Sequence, residues 1–325
     1  MGTHAGVGMS SHRNPKIAGK ETAQRAMEQA ENKTPCLVLV FSTVGYDLRV
    51  LIESIRAVTG IAPVCGCSGE GVIGRNFADE SSYSVGVMVL CSDVLRVNTG
   101  IETGLLQDPT KTGQKMGSQI ASHLAPDSRV LLLFPDGLHC NFDRLIEGLY
   151  ETAPQLSAMP LLGGFAGENL KLLKTHQFHN EEAVQNGVSW VLLSGSLDVA
   201  VAVNHGSIPI GDERTVTACA GNIIEEIDGL PALTVLKEYI DEKLMADWGK
   251  AMAPLALGFP APTHLEDNSQ LILRFIPSKD DATGCATFIG SRPVQLRPQT
   301  PWRVHIRVWS QSLFCNLIAA VAEKW

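Results

Sequence analysis

The sequence is short of most features that would assign it a trade at once. No apolar run approaches the ~18 residues needed to cross a bilayer as a helix; the stretch from Ser84 to Cys91 is among the longest and is strand-sized. A membrane span is therefore not expected. Basic residues are not in excess: Lys and Arg number 26 against 34 Asp and Glu, a formal net charge of −8, which argues against a nucleic-acid partner. Cysteine is sparse, 8 in 325 residues, far too few for a disulfide scaffold. Several of them (Cys36, Cys65, Cys91, Cys219) fall inside expected strands, where a thiol behaves as a small buried hydrophobe, so free thiols in a reducing compartment are expected. The first twenty residues hold Arg13, Lys16 and Lys20 and no acid, yet lack the apolar core of a secretory signal. Residues 1–19 read as a disordered leader, with an organellar transit segment as the alternative; Gly6 occupies the position where a myristoylation motif needs Ser or Thr. Nucleophile-elbow, Walker, H-E-x-x-H and EF-hand patterns are all missing, and no enzymatic activity is expected.

What is present is glycine in a particular place. Pro160-Leu-Leu-Gly-Gly-Phe-Ala-Gly-Glu-Asn169 is an apolar run that stops in glycines, and Pro63-Val-Cys-Gly-Cys-Ser-Gly-Glu70 is its earlier echo. Each reads as a buried strand entering a tight turn. Around them the order of elements repeats. Helix 20–31, strand 36–42, helix 47–58 and strand 61–67 are followed by strands 83–91 and 94–100. Then come a helix opening at Asp108-Pro109, strand 129–134, helix 141–152, strand 158–163 and strands 188–194 and 197–206. Matched landmarks drift one way only, by 93 (Phe41 to Phe134), 97 (Pro63 to Pro160), 105 (Asp93 to Asp198) and 106 (Asn98 to Asn204), as loop insertions in a second copy would make them do.

The expected fold class is α/β: internally duplicated strand-helix-strand units with mixed sheets, followed by a smaller, incomplete α+β domain at the C-terminus. The copies are placed at about 20–106 and 107–212 in a domain over 20–247, and the second domain at 248–325. Strand 215–224 and a helix opened by Asp228-Gly-Leu-Pro231 close the first domain; strands 253–262 and 271–277, with a turn at 278–281, open the second. From Ala282 to Ala322 there is no Asp or Glu, and three of the five tryptophans (Trp302, Trp309, Trp325) lie at this end. A basic contact surface and a truncated or out-of-frame terminus both account for that shift, and no function is placed there.

Motif by motif, the chemistry is modest. Gly69-Glu-Gly71-Val-Ile-Gly74 fits G-x-G-x-x-G after a strand, but the eight residues that follow are polar and unpatterned, so no helix N-terminus is available for a pyrophosphate. Cys65-x-Cys67 places two thiols on one face of a strand, a packing pattern, with Cys67 nearer the turn. His176-x-x-His179 is a weak metal pattern without a third ligand nearby. Asn204-His205-Gly206 has Asn98-Thr-Gly100 as its echo, so an imidazole replaces a hydroxyl; such a histidine serves as a ligand to a small molecule or haem iron, or as a hydrogen-bonded structural residue. Asp136, in Pro-Asp-Gly at a strand end, is first of all a turn residue.

Taken together, Val64–Gly71, Leu162–Gly167, the run Asn204-His-Gly-Ser-Ile-Pro-Ile-Gly211, then Val216-Thr217 and Glu226-Ile-Asp-Gly-Leu-Pro-Ala232, resemble the FIST family, from about Pro35 to Tyr239, with Leu257 to Gln295 similar to the start of its C-terminal partner domain. The resemblance implies a cytoplasmic, non-catalytic sensory domain that binds an amino acid or related metabolite in signal transduction. Its pocket is expected to draw on Gly66, Cys67, Ser68, Gly69, Gly163, Gly164, Asn169, Asn204, His205, Gly206 and Pro209. Two further roles follow from similar members: a haem-based nitric oxide sensor partnering a histidine kinase, with His205, or else His179 or His139, on the iron; and a protein-interaction scaffold or substrate recruiter of a ubiquitin ligase, although no F-box precedes the first strand. Ser207 stands where the family commonly has cysteine, and the family pattern is lost after about Gln295, which leaves a pocket shared between the domains incomplete.

Overall fold

The structure, a computed structural model, describes residues 2–74, 77–169, 173–201, 207–241, 243, 247–252, 255–260, 271–288 and 302–309. They fall into two compact units, residues 1–202 and residues 203–318.

The expected disordered leader is a correction: Thr3–Ser10 is a strand, β1, and helix α1 spans Pro15–Gln29. Its inward positions Gly6, Gly8 and Ser10 carry no hydropathy signal, so the strand could not be read from periodicity. The helix start is conventional in its chemistry, with Pro15 in the first turn and the Asn14 side chain accepting the amides of Lys16 and Ile17. The chain continues through β2 (Leu37–Ser42), α2 (Leu48–Thr59), β3 (Val64–Ser68), a small hairpin β4 (Val72–Gly74) and β5 (Phe77–Asp79), and β6 (Val85–Ser92). The order then restarts with β7 (Leu95–Thr103), α3 (Pro109–Ala121), β8 (Ser128–Pro135), α4 (Phe142–Thr152), β9 (Leu161–Gly163), a hairpin β10 (Gln177–His179) and β11 (Glu182–Val184), and β12 (Gly187–Gly195).

The duplication is present with shifted boundaries. Sheet order is β1-β6-β2-β3 in the first copy and β7-β12-β8-β9 in the second; β2–β3 and β8–β9 are parallel and the other pairs antiparallel. Each copy therefore opens with a strand, and β7, expected to close the first copy, is the counterpart of β1. Residues 197–201 form no strand, contrary to expectation, and 202–206 lie outside the described residues. The hairpin β10–β11 extends the first sheet by pairing β10 with β3, so the second copy completes the first copy's sheet.

The first unit has four layers. Helices α1 and α2 pack Ala23, Ala26, Leu51, Ile52 and Ile55 on Val38, Val40, Val87 and Val89. Helices α3 and α4 pack Met116, Ile120, Leu145 and Leu149 on Leu131, Leu133, Trp190 and Leu192. The inner faces of the two sheets meet through Leu37, Cys65 and Cys67 on one side and Val130, Phe134 and Val191 on the other. Strands of both sheets are covered on two faces, which is why they read as continuous apolar runs rather than alternating ones.

The second unit builds a nine-stranded sheet from β13 (Ser207–Pro209), β14 (Arg214–Ala220), β15 (Ile223–Ile227), β16 (Leu230–Pro231), β17 (Leu255–Pro260), β18 (Leu271–Arg274), β19 (Ser278–Asp280), β20 (Cys285–Thr287) and β21 (Trp302–Trp309), with helices α5 (Ala232–Lys237) and α6 (Trp248–Met252). This moves the expected boundary from residue 247 to about 203: Val216 of β14 pairs with Trp302 and Ile224 of β15 with Ala286, so these strands share a core with the later ones. The expected single strand 215–224 is two, turned at Gly221, and the expected turn at 278–281 contains β19. Among the described residues, no helix is long and apolar enough to cross a membrane.

Two glycines set how closely the parallel strands approach. Gly66 (φ 146°) and Gly163 (φ 136°) occupy the same place in the two copies, and a Cβ on either would lie 1.9 Å from the carbonyl oxygen of Val40 or Leu133 on the neighbouring strand. Gly66→Ala and Gly163→Ala are each expected to cost about 3 kcal/mol or more, because backbone on both sides must shift. Gly164→Ala, where a Cβ meets nothing within 4 Å, is expected to stay within about 0.5 kcal/mol. Urea unfolding of the three variants checks this; wild-type stability in Gly66→Ala contradicts the assigned role.

Candidate functional site

The residues that leave the two glycine turns run into each other. The Ser68 hydroxyl donates to the Gly167 carbonyl (2.7 Å) and accepts the His176 amide (2.9 Å), while Gly167 N donates to Ser68 O (3.0 Å) and Ser68 N to His176 O (2.8 Å). Glu70 Oε1 accepts the Glu168 amide at 3.1 Å. Asn169, held at φ 60°, donates through Nδ2 to the carbonyls of Glu70 (3.0 Å) and Glu80 (3.2 Å). The turns are thus stitched into one seam at the carboxyl ends of β3 and β9, the end of a parallel pair where α/β proteins bind ligands.

The expected site residues separate into groups. Gly66, Cys67 and Ser68 are buried: the Gly66 carbonyl accepts Ser189 Oγ at 2.8 Å, and Cys67 faces the space between the sheets. Gly69 donates its amide to Ser42 O at 2.9 Å. Gly163 is half-buried, Gly164 exposed, and Asn169 lies in the seam itself. Asn204, His205 and Gly206 lie outside the described residues, and Pro209 is an exposed residue of β13 in the second unit, paired with Arg307. The expected set is therefore not a single lining: Gly66 and Cys67 are interior packing. Burial pushes the Cys65 thiol up to about 12 and that of Cys67 higher still, with Cys65 adding to the latter, so neither supplies a thiolate near neutrality.

The seam holds three buried polar atoms with no hydrogen-bond partner among the described residues: the acceptors Glu168 Oε1 and Asn169 Oδ1, and His176 Nδ1. Glu168 is only 3% exposed. Asn169 has its amide group committed to two carbonyls, so the orphan atom is its oxygen. The other ring nitrogen of His176 faces the Gln185 amide at 3.2 Å. Burial, then Lys174, lowers the His176 pKa against a raising effect of Asp136, which favours the neutral imidazole; the Gln185 amide donates to Nε2, so Nδ1 carries the ring proton and is a donor. Buried groups of this kind ordinarily find a partner, and two acceptors with an imidazole N–H in one laced segment suit a ligand that carries both donor and acceptor atoms.

Glu168 and His176 were not among the expected site residues. A signal for Glu168 was available: each glycine turn ends in Gly-Glu, at Gly69-Glu70 and Gly167-Glu168. His176 gave none, since its H-x-x-H spacing pointed to a metal. On an extended segment His176 and His179 face opposite ways, and His179 Nε2 is engaged by Thr99 Oγ1 at 3.1 Å. Among the described residues no group of His, Cys, Asp and Glu has the arrangement of a metal centre. The haem reading finds no fit in His179, whose Nε2 is taken. His139 is tied by Nδ1 to Asp136 Oδ1 at 3.2 Å. That carboxylate also accepts the amides of Leu138, His139 and Asn186, which makes Asp136 the anchor of its turn, as its sequence context suggested.

The sequence profile of the FIST N domain matches residues 36–230, more than half of the chain. The chain belongs to the FIST N domain family. The family is one of sensory-type domains. β1 and α1 precede the matched stretch although they are part of the first repeat, and the match runs on through β16 of the second unit. An uncharacterized protein of Mycobacterium tuberculosis is 27% identical over 297 residues, spanning 86% of this chain and 71% of that protein. An uncharacterized protein of Mycobacterium bovis is 24% identical over 293 residues, spanning 86% and 70%. Among solved structures, a cyanuric acid hydrolase from A. caulinodans covers 59% of this chain and 71% of its own at 10% identity, with a TM-score of 0.32. A likeness that small says nothing about the chemistry of this FIST domain.

His176 and His179 also give the FIST domain a pH response. Burial is the leading cause of a lowered pKa at both. The unfolded chain then binds protons more readily, so this stability is fully present above the usual imidazole value of 6.5 and is lost as pH falls through the lower folded-state values. The urea midpoint is expected to drop between pH 7.5 and pH 5, and less so in His179→Gln. A midpoint that holds or rises over that range contradicts the assignment.

Proposed function

We propose that this FIST domain is a non-catalytic sensory module of the cytoplasm that binds a small amine-bearing metabolite, an amino acid or a relative of one, at the seam of its two repeats in signal transduction. The observation that carries the reading is the pair of buried acceptors Glu168 Oε1 and Asn169 Oδ1, with the His176 Nδ1–H in the same seam, all without partners among the described residues. An ammonium group offers donors and a positive charge to the carboxyl and the amide oxygen, and the carboxylate of an amino acid offers an acceptor to the imidazole N–H. Family membership supports the sensory part of the reading. The high thiol pKa values in β3 support the absence of cysteine chemistry there.

Binding of this kind couples readily to conformation. The three polar atoms belong to residues that join the copies through Ser68 and Glu70, so a ligand that satisfies them tightens the joint between β3, β9 and β10. Downstream transmission to a partner, a histidine kinase being one candidate, would then follow from a change in order at the seam.

Thermal-shift and calorimetric titration with the common amino acids and their decarboxylated amines tests the proposal. At a hundredfold excess over Kd a true ligand adds about 2.7 kcal/mol to stability, an increase readily seen as a rise in Tm. Glu168→Gln is expected to weaken that ligand about tenfold or more, the size of one charge-assisted hydrogen bond. If no compound of the panel raises Tm at millimolar concentration, the sensor reading gives way to a pure interaction scaffold.

A further inference from the structure

The second repeat carries an unused cleft at the end of its sheet opposite the seam. It is an open cleft of about 680 Å³ between the C-terminal turn of α3, the start of β8 and the segment leading into β9. Leu124, Pro126, Met159 and Pro160 supply the apolar part of walls that also carry polar side chains. This volume lies in the range of small-molecule sites.

Arg129 borders this cleft and a smaller one of about 410 Å³ beside it. Its position is special in the sheet. The pairing of β8 with β12 passes from Val130 opposite Leu193 directly to Ser128 opposite Ser194, so Arg129 is the extra residue of a β-bulge. Bulges re-aim a side chain and recur beside functional sites. The bulge is pinned on its flank by a 2.9 Å hydrogen bond between the hydroxyls of Ser128 and Ser194.

The guanidinium of Arg129 makes no hydrogen bond or salt bridge among the described residues. The nearest acid in sequence, Asp127, has both oxygens gripped by Arg96, at 3.0 and 2.5 Å, the first cause of its lowered pKa, and Arg129 adds only the last of the lowering effects, through space. Asp198 borders only the smaller cleft and forms no ion pair with Arg129 among the described residues. Gln155, also on the larger cleft, leaves its side-chain amide without a partner among the described residues. A bulged arginine and an amide without a described partner, beside the apolar side chains of an open cleft, are complementary to a planar anion with a short hydrocarbon body.

We propose that this cleft is a second ligand site, for a small monocarboxylate. Arg129 takes the carboxylate through two parallel N–H···O bonds, Gln155 adds a donor, and Leu124, Met159 and the two prolines cover the hydrocarbon part. The seam takes a cationic group and this cleft an anionic one, so the two sites are chemically distinct, and they lie at opposite ends of the second copy's sheet.

Hexanoate, titrated into the full chain by calorimetry and saturation-transfer NMR, is the probe. Saturable binding with a Kd of about 1 mM or tighter is expected, within the efficiency of ligands this small. Hexanol is expected to bind about tenfold or more weakly, and Arg129→Leu to lose hexanoate by a similar factor, the loss of one charge-assisted pair. Arg129 is exposed, so that variant should keep its circular dichroism and Tm. Ala121→Trp, at an exposed helical position on the cleft wall, keeps the guanidinium but fills the space, and is expected to abolish binding. Glu168→Gln should leave hexanoate unaffected, which separates this site from the seam. No saturable binding, equal affinity for hexanol, or undiminished hexanoate binding in Arg129→Leu or Ala121→Trp overturns the proposal.

Discussion

Backbone pressed on backbone is the constraint from which the rest follows. At Gly66 and Gly163 the chain lies so near the carbonyls of Val40 and Leu133 that no side-chain atom fits between them. Each contact lies in the parallel pair that ends a copy's strand order, with a helix on one face and the other sheet on the opposite face. Because the approach is that close, β3 and β9 end at a defined level, and the residues that follow them emerge where they can bond to one another. A residue with a Cβ at either position would move the strand ends apart, and the Ser68–Gly167 bonds would lengthen beyond hydrogen-bonding range.

Duplication then supplies two equivalent turns, and the protein has used them unequally. Glu70 and Glu168 end matching Gly-Glu steps, yet Glu70 accepts the amide of Glu168, while Glu168 keeps a buried oxygen without a described partner. One carboxyl holds the seam together and the other is left over. Leaving a buried polar group unsatisfied costs about 1–3 kcal/mol, so an arrangement with three of them is held at a local disadvantage that a ligand with matching donors and acceptors removes. That is the physical basis for treating the seam as the responsive part of a sensory-type domain.

The two sheets also explain the behaviour of the thiols. Cys65 and Cys67 alternate onto the inner face of β3 and meet the opposite sheet, where burial suppresses ionisation. Their spacing looked like packing in the sequence, and packing is their role. The opposite pole of the second copy differs: there a bulge turns Arg129 out of the ladder beside an open cleft. Strand ends with regular pairing carry the structure, and interruptions of pairing carry the exposed polar groups.

The sequence by itself determined the fold class, the duplication and the strand-to-glycine turns, because apolar runs, helical spacing and glycine are local signals that burial and backbone sterics impose on single segments. The match of Gly66 to Gly163 was legible from the echo of two short stretches. Only the tertiary structure decided that residues 3–10 are a strand, since Gly6, Gly8 and Ser10 are buried without being apolar, and that β7 opens the second copy, since a strand's partner is not written in its own composition. It also placed the boundary near residue 203, through the pairing of β14 and β15 with strands far along the chain. The seam was out of reach for the same reason: whether Glu168, Asn169 and His176 find partners depends on atoms about a hundred residues away in sequence, on Ser68 and Glu70, and satisfaction of a polar group is a property of the folded neighbourhood rather than of any motif.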